Sequence, residues 1–224
     1  MSKSPTRKIL EILSQPLYQL YASTNSEWHY KGLDITVLQG VFHPNWFVTS
    51  RMLLEHLEQL DVSGKEFLEL GCGTGTQACR AVQKGAIGYA SDITSSSCEN
   101  VRVNASLNDI DVQVYQSDIF EQIPDGQNFD FIFVNPPFVE QYPEEEKDFA
   151  FCCGEQYEYY NSLFSGLSSR LKSDGKLIMA LAKSCNCERI ESIANDAGYS
   201  FKRIDQCRKY AETNYLFEIK SASS

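Results

Sequence analysis

Residues Phe67–Ala78 read FLELGCGTGTQA, an apolar run followed by three glycines at alternate positions and then by helix-compatible residues. The apolar run suits a buried strand, and Gly71, Gly73 and Gly75 let the backbone turn tightly and approach a ligand closely. The helix that opens behind them presents unpaired N–H groups at its start. A dinucleotide fingerprint would need glycine or alanine at position 76, and the chain has Thr76. That speaks against a nicotinamide-dependent oxidoreductase. The spacing is instead Glu69-x-Gly71-x-Gly73-x-Gly75, with Cys72 and Thr74 between the glycines and a carboxylate two residues ahead of the first.

Outward from this loop, short strand-like runs alternate with longer helical stretches. The runs are Glu66–Leu70, Ile87–Ser91, Val112–Tyr115, Phe129–Val134, Lys176–Leu181, Tyr199–Ile204 and Asn214–Ile219. Helical spacing marks Gln77–Lys84, Ser96–Asn108, Tyr157–Leu171 and Cys187–Ala197. The pattern predicts an α/β fold, a parallel sheet covered on both faces. The second strand ends on Asp92 and the third is followed by Ser117 and Asp118, so acids stand at the carboxyl ends of three successive strands. Ligands of open α/β sheets bind there. Asp92 suits ribose hydroxyls, and Asp118 suits an adenine amino group with Ile93 or Ile119 packed on the ring.

Before Gly64, the Lys31-Gly32 turn within Tyr30–Leu38 predicts a hairpin, and Leu53, Leu57 and Leu60 define one face of a helix over Ser50–Leu60, with Thr49 or Ser50 available to cap it. Residues 1–40 read as an N-terminal extension or a lid on the sheet edge, residues 41–220 as the main domain and residues 221–224 as a frayed tail. Of the histidines, His43 beside Pro44 is expected to pack or to bond backbone, and Trp46 and Phe47 either roof a pocket or join the core.

The chain has 224 residues and a formal net charge of −10, which disfavours a surface that grips phosphate throughout. It has no secretory leader pattern and no apolar run near the ~20 residues of a membrane span. Eight cysteines, none spaced as zinc pairs, read as free thiols, and the expected location is the cytoplasm, with no metal.

The fourth strand-like run, FDFIFV, leads into Asn135-Pro136-Pro137-Phe138. An amide or exocyclic amine nitrogen is a poor nucleophile because its lone pair is delocalised. The Asn135 side-chain carbonyl and the Pro136 backbone carbonyl, freed because Pro137 supplies no N–H, could accept both N–H bonds and localise that pair. Phe138 could lie on the planar face of the group. With these residues the chain resembles the class I S-adenosylmethionine-dependent methyltransferases, in the group with an Asn-Pro-Pro-aromatic turn that includes release-factor glutamine methyltransferases and guanine-N2 and adenine-N6 methyltransferases of nucleic acids. The resemblance covers about Val41 to Lys220. It implies a Rossmann-like, seven-stranded, mostly parallel sheet with a reversed last hairpin. It also implies that Glu69, the Gly71–Gly75 loop, Asp92, Asp118 and their neighbours Ile93 and Ile119 hold S-adenosyl-L-methionine, with catalysis at Asn135–Phe138.

Two features pull the acceptor in different directions. Phe138 matches the guanine-N2 members, which the resemblance pairs with NPPF, whereas the release-factor glutamine methyltransferases usually carry NPPY. Between Glu140 and Tyr160, however, seven acids (Glu140, Glu144, Glu145, Glu146, Asp148, Glu155 and Glu158) face one base, Lys147, which suits a protein better than a phosphate backbone. Lys183–Lys209 holds six bases against four acids, too small an excess for an RNA track. A protein glutamine is the favoured acceptor, with an RNA base, or a non-catalytic S-adenosylmethionine-binding partner protein, as alternatives. A small activator subunit is a further possibility.

Overall fold

Nine strands and five α-helices account for the regular structure of the computed structural model, which describes residues 24–209 and 212–222. The expected extension before residue 24 and the end of the expected tail, 223–224, lie outside the described residues. Strands β3 (Glu66–Leu70), β4 (Ile87–Asp92), β5 (Val112–Gln116), β6 (Phe129–Val134), β7 (Leu171–Ala182), β8 (Tyr199–Lys209) and β9 (Glu212–Ser221) form one sheet in the order β5-β4-β3-β6-β7-β9-β8. The first five run parallel, and β9 enters antiparallel between β7 and β8, giving the reversed hairpin.

Strand β3 is buried on both faces, which explains its continuous apolar run. Helix α1 (Val48–Gln59) lays Leu53 and Leu57 on one face, against Phe67, Phe133 and Ile178. Helix α4 (Glu158–Leu167) covers the other with Tyr160, Leu163, Phe164 and Leu167, whose four-residue and three-residue spacing makes one apolar stripe. Each such side chain contributes roughly 1.5–3 kcal/mol on burial. Helices α2 (Thr76–Gln83), α3 (Ser95–Leu107) and α5 (Cys187–Asp196) complete the two layers.

Helix α4 stops four residues short of the Leu171 expected from its spacing, and β7 begins at Leu171. Arg170 explains the early end. Its buried guanidinium donates to the carbonyls of Pro124, Ile123 and Phe120 at 2.6, 2.8 and 3.4 Å, and its own carbonyl accepts from Phe129 N. These bonds tie the chain to the β6 side instead of prolonging the helix. The expected cap of α1 is also absent: Phe47 is the N-cap residue, and neither Thr49 nor Ser50 serves there.

Strands β1 (Ser26–Tyr30) and β2 (Leu33–Val37) form the hairpin expected around Lys31-Gly32, where both turn residues have positive φ, 46° and 86°. It packs mainly on helices, placing Leu33, Ile35 and Val37 against Cys79 of α2 and Ala105 of α3, with Val112 of the edge strand β5 beside them. Asn100 and Asn104 on α3 and Asn108 at its C-cap, spaced one turn apart, bond the backbone of β2 and of Leu38 just after it. Asn108 accepts from Asp34 N and donates to Asp34 O, both at 2.8 Å. Asn104 does the same with Thr36 at 2.8 and 3.0 Å, and also donates to Thr74 O of the glycine loop at 2.9 Å. Asn100 accepts from Leu38 N at 2.8 Å and donates to Thr36 O at 2.7 Å. Three side-chain amides thus do for β2 what a neighbouring strand would do.

Candidate active site

A cleft of about 440 Å³ opens above the carboxyl ends of β3, β4, β5 and β6, within the range of small-molecule sites. Of the sequence-derived candidates, Glu69, Gly71, Cys72, Gly73, Thr74, Asp92, Ile93, Asp118, Ile119, Asn135 and Pro137 line it. Gly75, Pro136 and Phe138 are not among its lining residues.

The floor is made of backbone. Gly71 N and Cys72 N donate to Ser91 O at 2.8 and 3.0 Å, and Gly73 N donates to Asp92 Oδ2 at 3.0 Å, so the loop is fastened to the end of β4. Gly71 and Gly73 have positive φ, 66° and 51°, which glycine adopts at little cost. Gly75 serves a different purpose. A Cβ there would stand 2.7 Å from a methyl of Val101, so the glycine lets α2 pack closely against α3 and does not itself face the ligand.

Three acids stand in three different environments. Glu69, 4% exposed, accepts from Ala78 N at 2.8 Å, taking over the capping that Gly75 cannot give α2. Burial pushes its carboxyl up to about 8, with nearby Asp92 adding to the effect and the helix N–H groups opposing it. Asp92 accepts from Gly73 N, Thr94 N and Thr94 Oγ1 at 3.0, 3.0 and 2.9 Å. Three of its roughly four acceptor positions are therefore taken, leaving room for one ribose hydroxyl where a free carboxylate could hold two. The carboxylate of Asp118 has no hydrogen-bond partner among the described residues. Partial burial, reinforced by Glu121, raises it above the usual range. Next to it Ile119 is held at φ 49°, an unusual setting for a β-branched residue, and its carbonyl accepts from the hydroxyls of Ser91 and Ser117 at 3.3 and 3.2 Å.

Asn135 donates from Nδ2 to Ser50 Oγ at 3.3 Å, which leaves its side-chain carbonyl without a donor among the described residues. This contact, between residues 85 positions apart, gives Ser50 the role of orienting the Asn135 amide in place of the capping role expected for it. Pro137 O is occupied by the Tyr160 hydroxyl at 2.8 Å, whereas no hydrogen bond reaches Pro136 O among the described residues. Phe138 is half-buried and packs on the α4 side of the core. Its N–H, with that of Val139, donates to Phe151 O at 2.8 and 2.7 Å. The acidic segment is thereby folded back over the cleft. A 3-10 helix at Glu146–Ala150 puts Glu146, Lys147, Phe149 and Ala150 into the cleft wall, and Glu144, Glu145 and Glu146 are exposed around it.

Opposite stands the segment after β2, with Gly40, Phe42 and Pro44 lining the cleft and Phe42 stacked on Phe47 at 4.0 Å between centroids. His43 is buried, accepts from Asn45 N through Nδ1 at 3.2 Å and stacks on Trp46, as a packing residue would; burial lowers its pKa. Among the lining residues that the sequence reading did not assign to the site are Tyr159 on α4 and Gln77 in the first turn of α2. Among the described residues no helix is long and apolar enough to cross a membrane, and no group of three or more His, Cys, Asp or Glu side chains is placed to hold a metal.

The sequence profile of the methyltransferase small domain matches residues 32–211. A Methanocaldococcus jannaschii protein provisionally named a protein N5-glutamine methyltransferase is 32% identical over 167 residues, 71% of this chain and 80% of its own. The release factor glutamine methyltransferase of Aquifex aeolicus is 28% identical over 170 residues, 69% of this chain and 59% of its own. The T. thermophilus 16S rRNA N2 G1207 methyltransferase, solved with AdoMet and guanosine, shares the fold with a TM-score of 0.67 at 20% identity, over 89% of this chain and 50% of that one. The chain belongs to the methyltransferase small domain family and is an S-adenosylmethionine-dependent N-methyltransferase. The cleft fits the cofactor: an open glycine floor, a carboxylate with an acceptor position left at Asp92 and an unpaired carboxylate at Asp118 follow one another along the strand ends.

Proposed function

We propose that this enzyme methylates the side-chain amide nitrogen of a glutamine in a protein. The observation that carries the reading is the placement of the acidic segment, whose 3-10 helix forms one wall of the cleft with its exposed carboxylates around the mouth. A phosphate backbone approaching that mouth meets like charge, whereas a polypeptide does not. The M. jannaschii relative, whose name gives it the same acceptor, supports it.

In this reading Gly71, Gly73, Asp92, Asp118 and the flanking Ile93 and Ile119 hold S-adenosylmethionine, which when bound supplies an electrophilic methyl group. Asn135 Oδ1 and Pro136 O accept the two N–H bonds of the acceptor amide, more strongly as the nitrogen becomes pyramidal, so the interaction improves toward the transition state. Ser50 keeps the Asn135 carbonyl turned toward the acceptor. Phe138 supports the turn from beneath through the core. The eight unpaired thiols suit a reducing compartment, and we place the reaction in the cytoplasm.

The test incubates the purified chain with methyl-labelled S-adenosylmethionine and heat-treated extract of cells lacking it, then divides the product between protease and nuclease. Label released by protease as methylated glutamine supports the reading, and label released by nuclease overturns it in favour of an RNA base. Label released as methylated glutamine only with unheated extract would support the reading with a heat-labile protein factor added; the E. cuniculi Mtq2–Trm112 complex, responsible for the methylation of the eRF1 translation termination factor, shares the fold with a TM-score of 0.63 at 17% identity over 82% of this chain and 99% of that one.

A further inference from the structure

Gln77 occupies the first turn of α2, where the other buried residues, Thr76, Ala78, Cys79 and Ala81, are small. It is 6% exposed and lines the cleft, yet its Oε1 is buried without any hydrogen-bond partner among the described residues. A buried carbonyl without a donor is costly, and one on a residue that borders a cleft calls for a donor from water or from a ligand. The order of the strands indicates what. If Asp118 at the end of β5 holds the adenine and Asp92 at the end of β4 the ribose, the ligand runs inward along the sheet, and its remaining part lies over β3 and its loop. Glu69 and Gln77 border that stretch, before Asn135 at the end of β6.

We propose that Gln77 is a cofactor-binding residue whose side-chain carbonyl accepts a hydrogen bond from the α-ammonium group of S-adenosylmethionine. This rests on the assignment of ribose and adenine to Asp92 and Asp118. An ammonium group brings three N–H donors and no acceptor, the complement of an orphaned carbonyl. Glu69, the carboxyl nearest in sequence, is committed to Ala78 N and holds its proton to about pH 8, so it offers little countercharge at neutrality. A neutral acceptor at Gln77 supplies the contact without burying a second negative charge beside Asp92.

The test is calorimetric titration of the full chain and of Gln77→Met, which keeps the side chain's length and removes the acceptor. The ligands are S-adenosylhomocysteine, its deaminated analogue, and 5′-methylthioadenosine, which lacks the amino-acid end. Gln77→Met should weaken S-adenosylhomocysteine by about 10- to 100-fold, as for a hydrogen bond to a charged group, and change the other two by less than about twofold. The ligand-free variant should melt no lower than the wild type, because an unsatisfied buried atom has been removed. Unchanged binding of S-adenosylhomocysteine, or an equal loss for all three ligands, overturns the inference. The wild-type chain gives a check that needs no variant: the deaminated analogue should bind it at least about tenfold more weakly than S-adenosylhomocysteine, and equal binding overturns the inference. A wild-type chain that bound S-adenosylhomocysteine and methylthioadenosine equally would overturn the Gln77 contact alone, while one that bound neither would overturn the cofactor site with it.

Discussion

The wall of the cleft from Gly71 to Asp92 is fixed by backbone N–H groups meeting carbonyls and carboxylates at 2.8–3.0 Å, whereas the mouth from Glu144 to Ala150 is a short 3-10 helix ringed by exposed carboxylates. The first arrangement leaves little to reorganise when a ligand arrives, which is what a fixed cofactor requires. On the proposed reading the second recognises the acceptor through its field, which tolerates varied partners and is screened by salt. The division of labour between a shared cofactor and a particular acceptor is thus written into two kinds of construction. Asn135 stands where they meet.

Replacing that residue should have the largest effect. Asn135→Ala is expected to lower turnover by about a thousandfold, the scale for removing one preorganised transition-state partner, and to leave the dissociation constant for S-adenosylhomocysteine within a few fold. Turnover within tenfold of wild type would show that neither wall depends on it. Within the rigid wall, Gly75→Ala should cost about 2–4 kcal/mol in denaturant unfolding, because its Cβ meets Val101 and its φ is 70°. Gly71→Ala, with nothing within 4 Å, should cost only about 1 kcal/mol of strain. Equal losses would mean that packing contributes nothing to the requirement at Gly75.

At the mouth, changing Glu144, Glu145 and Glu146 together to glutamine should raise KM for the protein acceptor about tenfold at low salt and about twofold at half-molar salt, with cofactor binding unchanged. A salt-independent change would assign the segment a shape role instead. A further test turns on pH. Glu69 keeps its proton to about pH 8 in the fold but releases it near the ordinary carboxylate value when unfolded, so the native state binds the extra proton between those values and stability falls as pH rises. His43 and His56, whose pKa values are lowered by burial, push stability the other way, so Glu69→Gln is the necessary reference. Relative to that variant, the melting temperature of the cofactor-free wild type should decline from pH 5 to pH 8; parallel curves would show that Glu69 is not titrating.

What the sequence disclosed follows the same line. Strand–loop–helix signals are local, so the seven strands could be read directly between Glu66 and Ile219, and the glycine floor and the acids at the strand ends between Glu66 and Asp118. Contacts between distant segments could not. Ser50 looked like a helix cap because nothing in its neighbourhood points to Asn135, 85 residues away. Phe138 looked like a ligand-facing ring because the turn motif does not show that Val139 and Phe151 draw the following chain back over the cleft. Gln77 carried no signal at all, since its importance arises only once its carbonyl is found buried without a donor.

The asparagine rungs of α3 have a consequence for how this protein can diversify. The hydrogen bonds that Asn100, Asn104 and Asn108 make to the hairpin segment and the glycine loop all go to main-chain atoms, so this part of the attachment, unlike the packing of Leu33, Ile35 and Val37, is blind to which side chains β2 carries. Hairpin side chains that face away from the helices, such as Glu27, His29 and Asp34, can therefore be exchanged without unfastening the hairpin from the cofactor loop. The segment leading to Phe42 and Pro44 keeps its anchor while the surface above it is rewritten, a modular bracket on which new acceptor preferences can be mounted.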